Sequence, residues 1–154
     1  MRRKEKAIAD QTIIDTILHD SEICRIALID GLDPYIVPLN YGYQDNIIYM
    51  HSAPEGRKIK LLKEHSRVCF EIEYKAEISG KDEPCSWTTK YRSVIGYGNI
   101  EIVSDTEIKK KGLDIIMSKY GYNGSGEYNE GSLSRMVLLK LTIETITGKQ
   151  SGDW

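Results

Sequence analysis

From residue 22 to residue 70 the chain carries the period of strands, broken by turn residues and by one short helix, which confines it to a fold built around a sheet. A β-rich run at 23–29 is stopped by Asp30 and Gly31, and a second run, 34–41, leads through Gly42 and Tyr43 into Gln44, Asp45 and Asn46, which read as a hairpin tip. Residues 47–51 run back. Pro34 and Pro38 remove two ladder donors from one strand, so that strand is expected at an edge or beside a bound group.

The flanking segments complete the outline. Ile13, Ile14, Ile17 and Leu18 repeat at helical spacing behind Asp10, a capping residue, while the basic residues ahead of them read as a solvated lead-in. Pro54 suits the first turn of a short helix whose apolar face is Ile59, Leu61 and Leu62. Val68, Phe70 and Ile72 alternate against Cys69, Glu71 and Glu73 in a strand over 67–74, followed by a polar loop over 75–86. The run 87–103 is a long strand in which Gly96 and Gly98 permit a bend or bulge. Ser104 and Glu107 form a capping box for a helix ending near Tyr120, residues 121–134 read as a mobile loop, 136–146 as the last strand, and 147–154 as a polar tail. Helix, three strands, helix, two strands, helix and strand, joined mostly by hairpins, predict an α+β domain over 1–154 whose mainly antiparallel sheet closes as a small barrel with peripheral helices.

Composition narrows the function. With 21 basic against 23 acidic residues the net charge is −2, which lacks the positive footprint that nucleic acid or an anionic membrane surface requires. No apolar run approaches the roughly 18–20 residues of a membrane span, and the start is too polar for a signal-peptide core, so a cytoplasmic protein is expected. Cys24, Cys69 and Cys85 form no CxxC pair, and His19, His51 and His65 are scattered, so neither a disulfide framework nor a metal site is expected.

Chemistry concentrates in residues 51–58, where a strand ends and a helix begins. A helix N-terminus offers free N–H groups and a positive dipole end. Ser52 adds a hydroxyl, Gly56 allows close backbone approach, and Arg57 and Lys58 add a planar fork and a point charge, together a phosphate grip. On local chemistry alone, a plain helix start with two solvated cations explains the same residues. His51 reads equally as a packed strand-end residue or as an acid–base group. The aromatic content is skewed, with ten tyrosines and two tryptophans against one phenylalanine, and tyrosine favours interfaces and ligand walls as well as half-exposed strands.

Four stretches, 34–43 (PYIVPLNYGY), 48–58 (IYMHSAPEGRK), 91–98 (YRSVIGYG) and 146–149 (ITGK), together with the basic start 1–4, resemble the pyridoxamine 5'-phosphate oxidase-related superfamily, and within it the flavin-binding nitroimidazole-resistance proteins. The resemblance covers nearly the whole chain. It implies a six-stranded split β-barrel and a homodimer with FMN at the subunit interface. By motif, Arg57 and Lys58 would hold the FMN phosphate with Ser52 and Ala53; Val37, Pro38, Leu39, Asn40 and Tyr41 would line the flavin; Ser93 and Val94 would touch its ring; Lys149 and Trp154 could reach the partner's site. His51 corresponds to a histidine beside the flavin and is the candidate catalytic residue. The implied activity is an FMN-dependent oxidoreductase, with NAD(P)H or another donor and a small aromatic or nitroaromatic acceptor. The alternatives are a flavin-binding sensor or store without turnover, and a split barrel using haem or a deazaflavin. The tail 150–154 lacks the basic, histidine-containing pattern that holds vitamin B6 substrates, so that oxidation is not expected.

Overall fold

The computed structural model describes residues 3–80, 82–124, 126–152 and 154. Among the described residues thirteen elements (two 3-10 turns, four α-helices and seven strands) follow one another: the turn Lys4–Lys6, β1 (Ala7–Ile8), α1 (Gln11–Asp20), β2 (Ile23–Asp30), β3 (Asp33–Gln44), β4 (Ile47–Ser52), α2 (Arg57–Glu64), β5 (Arg67–Ser79), the turn Pro84–Ser86, β6 (Thr88–Val103), α3 (Thr106–Lys119), α4 (Glu130–Ser134) and β7 (Val137–Ser151). Six long strands form an antiparallel ring in the order β7-β4-β3-β2-β5-β6, closed by β6 on β7, and the two-residue β1 adds to β7 at Gly148 and Lys149. The expected α+β barrel is therefore present.

Local chemistry explains the elements. Asp10 caps α1 by accepting from the Thr12 N–H at 2.9 Å, and Ile14, Ile17 and Leu18 turn inward. Asp45 and Asn46, both at positive φ (53° and 64°), make the two-residue β3–β4 hairpin turn. Inward positions of the ring (Cys24, Ile26, Met50, Phe70, Ile72, Val94, Leu139, Leu141) form the main core with α1 and α2. A second cluster, with Tyr49, Leu113, Ile116 and Leu138, glues α3 to the outer face of β4 and β7. Gly96 and Gly98 let β6 close the ring: a Cβ on Gly98 would lie 2.1 Å from the Thr142 carbonyl oxygen, beside the register shift between Tyr97 and Gly98.

Several boundaries differ from expectation. The lead-in is not merely solvated: Ile8 is buried and Lys6 Nζ donates to Ser151 Oγ at 2.8 Å, while Met1 and Arg2 lie outside the described residues. Pro54 precedes α2 rather than opening it, because Gly56 at φ 113° is the N-cap. β5 continues to Ser79 through a bulge at Lys75 and pairs with the start of β6, so 75–79 is strand and not loop. Asp105, not Ser104, caps α3, accepting from the N–H groups of Glu107 and Ile108. Within the expected loop, α4 forms behind Asn129 and buries Leu133. The tail extends β7 to Ser151, because its pairing with β6 continues to Tyr91.

Candidate functional site

The ring is parted between β3 and β4. The two strands pair only from Tyr41 with Met50 to Gln44 with Ile47. Beyond that, residues 33–40 pair with β2 alone, and His51 and Ser52 pair with Leu138 and Val137 of β7. Both strands thus present an open edge to the same notch, and Pro34 and Pro38 occupy the one-sided half of β3, where a missing donor is tolerated.

The side chains divide by strand parity. Tyr35, Val37 and Leu39 pack against the core, and Tyr41 is fully buried, its hydroxyl donating to the Leu18 carbonyl at 2.8 Å. Pro38 and Asn40 project outward and are exposed. The backbone of Tyr41 is tied down in turn, its N–H donating to Tyr120 Oη at 3.2 Å while Lys119 Nζ lies 4.1 Å from its ring centroid. Lys119 also donates to the Leu18 and His19 carbonyls, capping α1, and burial lowers its pKa to about 8.

From the other lip the chain turns through the buried Ser52 and the exposed Ala53 into α2. Gly56 provides no side-chain cap, so the first-turn N–H groups have no side-chain acceptor, and the space where a Cβ would sit on Gly56 is open. Arg57 reaches back to the β2–β3 hairpin: its Nε donates to Asp30 Oδ2 at 2.5 Å, Nη2 pairs with the same oxygen, and the guanidinium carbon lies 4.5 Å above the Tyr35 ring. Burial lowers the Lys58 pKa. At His51, burial and then the Lys58 ammonium lower the imidazole pKa below its ordinary 6.5, so the ring is neutral at neutral pH. An uncapped helix start with an arginine fork and a lysine fits a phosphate group by its donor chemistry.

On either side of the parting lie Val37, Pro38, Leu39, Asn40 and Tyr41 of β3, and His51 and Ser52 of β4 with Ala53, Arg57 and Lys58 following, bridged by Arg57 over the Tyr35 ring. Ser93 and Val94 are not among them, because β6 stands opposite β3 in the six-strand ring. Val94 points into the core and Ser93 outward, next to Lys149 of β7. Trp154 lies against Tyr74 (6.0 Å between ring centroids), Lys90 (4.5 Å) and Arg92 (4.6 Å) of its own chain. In the sequence Asp30 reads only as a strand stop, and no local signal tells that an arginine 27 positions later will meet it.

A six-stranded antiparallel barrel parted on one side is a split barrel. Residues 10–150 match the family model described as pyridoxamine 5'-phosphate oxidase, and the chain belongs to that family. Among solved structures it is similar to a candidate 5-nitroimidazole antibiotic resistance protein of Bacteroides thetaiotaomicron, at 30% identity and TM-score 0.83, with 93% of this chain and 85% of that one covered. It also shares its fold with the FAD and haem binding protein of Mycobacterium smegmatis (18% identity, TM-score 0.85, 97% and 75% covered). The flavocytochrome Anf3 of Azotobacter vinelandii is a third (18%, 0.83, 99% and 72%). No curated protein sequence matches the chain. Among the described residues, no helix is long and apolar enough to cross a membrane.

Proposed function

We propose that this chain is an FMN-binding oxidoreductase that works as a homodimer in the cytosol, where its three free cysteines are at home. The observation that carries the reading is the convergence of an uncapped α2 N-terminus, Arg57 and Lys58 on a notch left open by the parting of β3 and β4. Arg57, Lys58, Ser52 and Ala53 would bind the phosphate, and residues 37–41, chiefly through backbone and through Pro38 and Asn40, would wall the ring. A bound flavin supplies hydride and single-electron chemistry, for which a nicotinamide donor and a small aromatic or nitroaromatic acceptor are the proposed partners. His51, neutral beside Lys58, is better suited to accept a proton or a hydrogen bond than to donate a proton.

The dimer is supported by the outer face of the sheet. Ile36, Ala27, Cys69 and Tyr97 form one row across β3, β2, β5 and β6, with Ile29 and Ile95 close by. Ile36 is 60% exposed, Ile29 58%, Ile95 47% and Tyr97 46%, an apolar patch that a monomer rarely leaves bare. A second copy seated there would cover it and would offer its own Ser93, which lies on the same face, to a notch that one chain leaves incomplete.

The test is an absorption spectrum of the purified protein with FMN, FAD or riboflavin added, taken across a size-exclusion peak with light scattering. Oxidised-flavin bands travelling with a dimer, bleached by NADH or NADPH and restored by a nitroaromatic, support the reading. Bands that no donor bleaches would leave a flavin-binding module, and absence of flavin binding would refute the cofactor assignment.

A further inference from the structure

We propose that Asp30 and Tyr35 are positioning residues that aim the Arg57 guanidinium, holding one edge and one face so that the opposite edge is free for a phosphate. This rests on the FMN reading above. An arginine at the first position of a helix, 56% exposed, would by itself sample many rotamers and lose that freedom on gripping a ligand. Here it is already fixed. Nε and Nη2 both engage Oδ2 of Asp30, and the guanidinium lies over the Tyr35 ring. The two partners are themselves rigid, since Asp30 pairs with Asp33 and Leu28 with Tyr35 in the same hairpin, closed by Gly31 at φ 63°.

The geometry of the fork decides between two roles for Asp30. A guanidinium offers five N–H donors along two usable edges. Asp30 takes only the Nε–Nη2 edge, through one oxygen, and among the described residues Nη1 donates no hydrogen bond. The Nη1–Nη2 edge is left for an incoming anion. A carboxylate competing for the phosphate's place would occupy that outer edge instead. Asp30 also cancels the Arg57 charge, so Lys58 and the helix end supply the net positive field, and Arg57 contributes direction more than charge.

The experiment measures dissociation constants for FMN and for riboflavin, which lacks the phosphate, by quenching of flavin fluorescence in the native chain, Asp30→Ala and Asp30→Asn, with thermal melts alongside. Asp30→Ala is expected to weaken FMN by up to about fivefold, the most that a pair this open to solvent can contribute to aiming Arg57, and to leave riboflavin unchanged. Asp30→Asn keeps an acceptor oxygen without the charge and is expected to weaken FMN by a smaller factor; it also serves if the alanine variant does not fold. FMN binding equal to or tighter than native in a folded variant would show a competitor and overturn the proposal, as would a parallel loss of riboflavin, which marks a merely structural role. A native chain that binds no flavin overturns the FMN reading and this proposal with it, whereas native binding indifferent to Asp30 overturns the proposal alone.

Discussion

Arg57→Ala separates what the residue does for binding from what it does for the fold. In the free protein its partners are Asp30 and the Tyr35 ring, with the side chains of the ion pair 56% and 35% exposed. An ion pair that open to solvent is worth about 0–1 kcal/mol, and an exposed cation–π contact about 0.5–1 kcal/mol. The melting temperature should therefore fall by only a few degrees. Against a phosphate the same guanidinium makes charge-assisted hydrogen bonds, worth about 1.5–3 kcal/mol. At about 1.4 kcal/mol per factor of ten, the FMN dissociation constant should rise roughly 10- to 150-fold. Riboflavin has no phosphate to lose and should bind as before. Titration of both flavins, followed by fluorescence, reads the difference directly. An unchanged FMN constant would place the phosphate elsewhere, and an equal loss of riboflavin would mean that Arg57 holds the notch open rather than gripping an anion.

Three further outcomes follow from the same geometry. Lys58→Gln removes the positive charge that disfavours imidazolium, so the His51 pKa should rise, as followed by NMR of the ring C–H protons; no rise would remove Lys58 from the neighbourhood of His51. Burial pushes the Cys24 thiol well above its ordinary value of 9, so the folded state keeps a proton that the unfolded chain loses as pH rises through 9. The native protein should then lose stability relative to Cys24→Ala by about 1.4 kcal/mol per pH unit above 9, read from urea midpoints; a constant gap between the two proteins across that range would refute the burial argument. Ile36→Glu places a carboxylate in the exposed apolar row, and light scattering should report monomer; a dimer of native affinity would put the interface on another face.

Legibility followed the range of the interactions. Strand parity, the Asp10 cap, the Asp45–Asn46 turn and the alternation of Val68, Phe70 and Ile72 depend on neighbours within a few positions, and all of them stand in the structure. The misread boundaries turned on pairing between distant segments: 75–79 and 147–151 are polar, and only the continued ladder with β6 makes them strand. The choice of Asp105 over Ser104 turned on one residue of backbone phase, which composition does not report.

The notch shows the same limit at the site itself. Pro34 and Pro38 announced a strand with one bare edge, and the cations after Gly56 announced an anion-seeking helix start. That the two meet depends on β3 and β4 parting beyond Tyr41 and Met50. At that point the Tyr41 N–H donates to Tyr120 Oη of the α3 C-cap, with Lys119 over the Tyr41 ring, while His51 and Ser52 keep their pairing with β7 and the chain then turns into α2. In that register the ladder could continue only to His51 and Ser52 before the chain turns into α2, and the Tyr120 contact at Tyr41 comes from a distant helix end, so the opening is in part a tertiary property. The site residues of each lip could be named from sequence because each lip is local, whereas Asp30, whose contact with Arg57 bridges the β2–β3 hairpin and α2, could not.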